Sequence, residues 1–124
     1  IDELVLNYAI DKEDITLVGF SQGAILSYAV GVSYPEKVNK VVAMSGYFNP
    51  EIAIDQFEQN DLTNLKIFAS HGTVDQVVPF EWGQKAKQVL SNYNIEVDFH
   101  SYPIGHGISP QNFFDFKNWL NTNK

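Results

Sequence analysis

Apolar positions in this chain come as short blocks alternating with longer stretches of helical spacing, most of them closed by glycine, proline or a polar cluster. Residues 1–8 have the pattern of a helix already under way, and residues 11–14 that of a polar turn. Ile15, Leu17 and Val18 form the first compact block; residues 15–18 predict a buried strand bounded by Gly19. The run from 22 to about 33 is apolar on nearly every side, which predicts a helix buried between layers and ended by Pro35. Residues 38–45, centred on Val41, Val42, Ala43 and Met44, predict a second strand. Residues 47–64 carry several acids and one proline and predict a loop with room for a short helix. A third strand is expected over 65–70.

In residues 80–93, Trp82, Ala86, Val89, Leu90 and Tyr93 recur at helical spacing while Gln84, Lys85, Lys87 and Gln88 face away. This predicts an amphipathic crossover helix with Trp82 on its core face. Residues 95–102 alternate, with Ile95, Val97 and Phe99 in one phase and Glu96, Asp98 and His100 in the other, as in a strand near a sheet edge. Ser109 as N-cap and Pro110 at the first helical position open a last helix to about 121, with Phe113, Phe116 and Leu120 on one face. Strands alternating with helices predict an α/β fold, a three-layer α/β/α sandwich with a mostly parallel sheet, whose ligands gather at the carboxyl ends of the strands.

The 124 residues, 44% of them hydrophobic, suffice for a single domain over 1–124, with no linker, repeat or low-complexity tract. A net charge of −7 argues against a nucleic-acid partner. The chain lacks cysteine, which removes disulfides, a thiol nucleophile and thiolate metal sites. That leaves the compartment open, with a cytoplasmic location as the default expectation. No apolar run approaches the roughly 18 residues of a membrane span. Because the chain opens on Ile1 within a helical pattern, with neither initiator methionine nor signal peptide, it is expected to be part of a longer domain.

The candidate chemistry starts at Gly19-Phe20-Ser21-Gln22-Gly23, set between a strand and a helix. This is the pattern of a nucleophile elbow, where a sharp turn presents a serine hydroxyl clear of the backbone; a glycine-rich turn with a capping serine is the alternative. The two glycines are expected to allow strained backbone angles and close helix packing. Asp75 follows the third strand and His106, between two glycines, the fourth, so Ser21, Asp75 and His106 stand at the ends of the first, third and fourth strands in the chain order of an α/β-hydrolase triad. The alternatives are a turn role for Asp75 and a surface loop for His106. His71 is expected to hydrogen-bond the Asp75 loop in a structural role, and His100 to be solvated or paired with Glu96 or Asp98; Asp55 and Asp61 lie in the wrong loop. Neither a metal-ligand spacing nor a dinucleotide fingerprint is present.

Together, Gly19-Phe20-Ser21-Gln22-Gly23-Ala24, His71-Gly72 with Asp75 and Val77-Val78-Pro79, and Gly105-His106-Gly107-Ile108 resemble the phospholipase/carboxylesterase family of the α/β-hydrolase fold, which includes acyl-protein thioesterases and broad carboxylesterases. The resemblance implies Ser21 as nucleophile, Asp75 as acid, His106 as base and the Gln22 backbone N–H as one oxyanion donor, with no cofactor and a small-molecule ester or thioester as substrate. It implies a second oxyanion donor from a His-Gly loop ahead of the elbow. No residue before Ile15 matches that loop, so the chain is expected to be the carboxyl-terminal half, and losing one donor costs roughly 10²- to 10³-fold in turnover. Strand 15–18 is then expected to leave an apolar sheet edge prone to association, and a homodimer stays open. Phe20, Phe48, Val78 and Ile108 are the candidates for an apolar acyl slot, with core packing as their alternative. An inert fragment or binding module that keeps the fold is the runner-up, and a peptidase or lipase the third reading.

Overall fold

The computed structural model describes residues 1–7, 11 and 13–124, so the share of the opening helix expected at Tyr8 and of the polar turn expected at Lys12 lies outside the described residues. A short helix α1 (Asp2–Asn7) precedes strand β1 (Thr16–Phe20), helix α2 (Gln22–Ser33) and strand β2 (Lys40–Met44). Two 3₁₀ turns, Pro50–Ile52 and Phe57–Gln59, interrupt the loop that follows. Strand β3 (Lys66–Gly72), helix α3 (Phe80–Ser91), strand β4 (Glu96–Tyr102) and helix α4 (Pro110–Thr122) complete the chain.

The four strands pair in parallel in the order β1-β2-β3-β4. In this register Leu17, Val41, Ile67 and Val97 form one row, and Val18, Val42, Phe68 and Asp98 the next row on the opposite face. Because side chains alternate along a strand, the first row faces α2 and α3 and the second faces α4. Ala24, Tyr28 and Val32 of α2 join Ala86 and Leu90 of α3 in one core, while Phe116, Trp119 and Leu120 of α4 cover Val42, Met44 and Phe68. These are the three layers that the strand-helix alternation predicts.

Local departures follow from packing. β1 and β3 each run two residues further than their apolar blocks, because Gly19, Phe20, His71 and Gly72 stay in the ladder. Helix α2 is not enclosed all round: Leu26 is 59% exposed, since the sheet covers one flank and the 47–60 loop only part of the other. In α4, Ser109 accepts from the Asn112 N–H at 3.1 Å as the expected N-cap, but Trp119 takes the core place beside Phe116 and leaves Phe113 55% exposed. β4 is an edge strand, as its alternation predicts. At the other edge Val18 is 54% exposed, because α4 lies over β2 and β3. No described helix is long and apolar enough to cross a membrane.

Candidate active site

Ser21 is the whole connection between β1 and α2, the strand ending at Phe20 and the helix beginning at Gln22. Its N–H donates to Met44 O at 2.8 Å, one step beyond the ladder, and its carbonyl accepts the first helical bonds from Ala24 and Ile25 at 3.0 and 3.1 Å. Meeting both demands in one residue forces φ to 57° and ψ to −115°. A non-glycine residue held there stores about 1–3 kcal/mol of strain. The strain therefore sits on the serine and not on the glycines, none of which has a positive φ. Gly19 serves close approach: a Cβ there would lie 2.3 Å from the Gly23 carbonyl. A Cβ on Gly23 would meet nothing within 4 Å.

The Ser21 hydroxyl makes no helix-capping bond, unlike that of Ser109, and lies 3.0 Å from His106 Nε2. His106 Nδ1 lies 2.7 Å from Asp75 Oδ2. A carboxylate only accepts, so the hydrogen-bond network assigns the imidazole proton to Nδ1 and leaves Nε2 free to accept from Ser21. The other oxygen, Asp75 Oδ1, accepts from the N–H groups of Val77 at 2.8 Å and Val78 at 2.9 Å. Burial pushes the Asp75 carboxyl upward; the His106 hydrogen bond and the Val78 and Val77 amides outweigh it and hold the group below its usual 3.8. The Asp75 side chain is fully buried, whereas that of His106 keeps 18% of its surface open to solvent. An ionised acid, an oriented imidazole and a hydroxyl in this order can draw a proton from the hydroxyl as it attacks an electrophile.

The loops that carry Asp75 and His106 are laced together. Thr73 N–H donates to Tyr102 O at 2.8 Å and Val74 N–H to Ile104 O at 3.2 Å. Gly72 allows the approach, because a Cβ there would fall 2.2 Å from the Gly105 carbonyl oxygen. The glycines flanking His106 are not what bends its loop: neither has a positive φ, and their added Cβ atoms would meet almost nothing. His71 is buried beneath the Asp75 turn. His100 sits 3.0 Å from Asp98 on the edge strand, and Asp61 is occupied with Thr63. Among the described residues no group of three or more His, Asp or Glu side chains is arranged to hold a metal ion.

The four acyl-slot candidates have different surroundings. Phe20 lays its ring 4.9 Å from that of His106, and Ile108 lines a shallow depression beside the same histidine. Val78 is buried, its N–H donating to Asp75 Oδ1 and its carbonyl facing His71 Nε2. Phe48 instead lines a separate apolar cavity of about 370 Å³ with Tyr47, Pro50, Trp82 and Val89. Trp82 is thus not a core residue; it is 48% exposed and meets Tyr47 edge to face at 5.1 Å. It lies in the first turn of α3, and its ring faces the 47–50 loop, which helical periodicity cannot register. The signal available in the sequence was the aromatic pair Tyr47 and Phe48 directly after Gly46, which lies against Ser21.

The family model described as phospholipase/carboxylesterase matches residues 1–124. Acyl-protein thioesterase 1 of the yeast Debaryomyces hansenii is 32% identical over 122 residues, covering 97% of this chain and 53% of the relative. A probable carboxylesterase, SOBER1-like, of Arabidopsis thaliana is 35% identical over 114 residues, covering 90% of this chain and 43% of the relative. The crystal structure of Arabidopsis thaliana SOBER1 superposes with a TM-score of 0.82 at 30% identity, covering 98% of this chain and 58% of that one. The carboxylesterase of Bacillus cereus, at 21% identity and a TM-score of 0.86, shares the fold. The chain spans about half the length of the curated relatives it matches.

Proposed function

This chain belongs to the phospholipase/carboxylesterase family, and from that premise we propose that it carries the nucleophile, base and acid of a serine hydrolase acting on carboxylic esters or thioesters. The observation that carries the proposal is the unbroken chain of contacts from Ser21 Oγ to His106 Nε2 at 3.0 Å and from His106 Nδ1 to Asp75 Oδ2 at 2.7 Å. Ser21 Oγ attacks the acyl carbon while its proton passes to His106 Nε2, and the carbonyl π electrons move onto oxygen. The Gln22 N–H, in the first turn of α2 where backbone N–H groups lack intrahelical partners, would hold that oxyanion, with the helix dipole adding to it. Collapse expels the alcohol or thiol, which takes the proton from His106 and leaves Ser21 acylated. Water activated by the same imidazole then releases the acid and restores the hydroxyl.

Phe20 and Ile108 would give the serine an apolar rim. The cavity along Tyr47, Phe48 and Trp82 has the size and lining of a small-ligand site and suits an aliphatic acyl chain. A fluorophosphonate probe should label the full protein at Ser21, and Ser21→Ala should abolish both labelling and hydrolysis of p-nitrophenyl esters. Labelling at another residue, or an active Ser21→Ala, would remove the nucleophile assignment.

A further inference from the structure

We infer that His71 is a positioning residue for this reaction, its Nε2–H holding the Asp75 turn through the Val78 carbonyl, beside the carboxylate oxygen that faces His106; the inference rests on the serine-hydrolase reading above. His71 ends β3 and is 1% exposed. Its Nε2 lies 2.8 Å from Val78 O and 3.4 Å from Asp75 Oδ2. A carbonyl oxygen only accepts, so Nε2 bears the proton and donates it to Val78 O. Val78 is thereby gripped from both sides, its N–H by Asp75 Oδ1 and its carbonyl by His71. To turn away from His106, Asp75 would have to break with the Val77 and Val78 amides while His71 holds the Val78 peptide in place.

The second ring nitrogen separates this role from ordinary packing. Buried polar atoms in proteins are nearly always satisfied, yet among the described residues His71 Nδ1 has no partner. It faces Gly83 of α3, where a Cβ would come within 2.5 Å of it, and the ring meets Phe80 edge-on at 5.9 Å. An aliphatic side chain would fill that space without stranding a nitrogen. Histidine is therefore held there for its Nε2, and α3 approaches through a glycine to leave the ring room. The titratable group nearest this nitrogen is Asp75, whose Oδ2 in turn faces His106.

The test measures the full protein with p-nitrophenyl esters. His71→Leu should lower kcat about 10- to 100-fold with KM changed less than about twofold, the scale expected when a reacting group is misplaced by about 1 Å. His71→Gln, which keeps an N–H near the same place, should recover most of the lost rate. A wild-type rate in His71→Leu, or a His71→Gln as impaired as His71→Leu, would overturn the positioning role while leaving the hydrolase reading intact. An unlabelled, inactive wild type would overturn both. Should His71→Leu fail to fold, ¹⁵N-histidine spectra of the wild type decide: a proton on Nε2 with Nδ1 bare is expected, and the reverse tautomer defeats the inference.

Discussion

At Ser21 the same backbone geometry that exposes the hydroxyl also costs stability. Glycine adopts φ near 57° without steric penalty and alanine does not. Ser21→Gly should therefore unfold at a higher temperature than Ser21→Ala, by an amount corresponding to about 1 kcal/mol, while both are inactive. Calorimetry of the two variants side by side checks this, and equal melting temperatures would contradict a strained elbow. Asp75 makes a pH-dependent contribution of known sign. Its folded-state pKa lies below 3.8, so the stabilisation is present above the unfolded value of about 3.9 and is lost as pH falls through the lower folded value. Asp75→Asn should accordingly flatten the fall in stability between neutral pH and about pH 3, as followed by urea unfolding across that range.

At the scale of the elements, Gly72 decides whether the ends of β3 and β4 can present their residues together. Gly72→Ala places a methyl 2.2 Å from the Gly105 carbonyl oxygen, and only backbone movement relieves that clash. The expected result is a fall in kcat of about 100-fold or more from displacement of the His106 loop, read by esterase assay on protein whose circular dichroism confirms folding. Phe68, wholly buried on the central strand β3, joins the sheet to α4 through Phe116 and Trp119. Phe68→Ala should destabilise by about 3–5 kcal/mol, measured by denaturant unfolding.

Over the whole molecule, the two sheet edges differ in chemistry. β4 presents Glu96 and Asp98 to solvent, whereas β1 pairs only with β2 among the described residues and leaves Val18 exposed. An apolar edge with unpaired backbone groups is a template for association. The 124-residue chain should therefore self-associate at concentrations of order 10 µM or above, and Val18→Lys should reduce its weight-average mass in sedimentation velocity. Unchanged sedimentation on charging residue 18 would show that this edge takes no part.

The element order, the parallel three-layer architecture, the edge position of β4 and the N-cap of α4 were legible in the sequence, because each is encoded by hydrophobic period and capping chemistry within a dozen neighbouring residues. The Gly-Phe-Ser-Gln-Gly turn between β1 and α2, and the strand-end positions of Ser21, Asp75 and His106, could be read from the short motifs around each residue. Their distances were not: Ser21 and His106 are 85 positions apart, and their meeting at 3.0 Å depends on strand register and on the approach that Gly72 permits. Which residue carries the backbone strain, which aromatic rings wall the cavity between the 47–50 loop and α3, and which nitrogen of His71 reaches the Asp75 turn were likewise decided by tertiary packing. Local sequence sets which face of an element is apolar; what that face meets is settled only when the layers close.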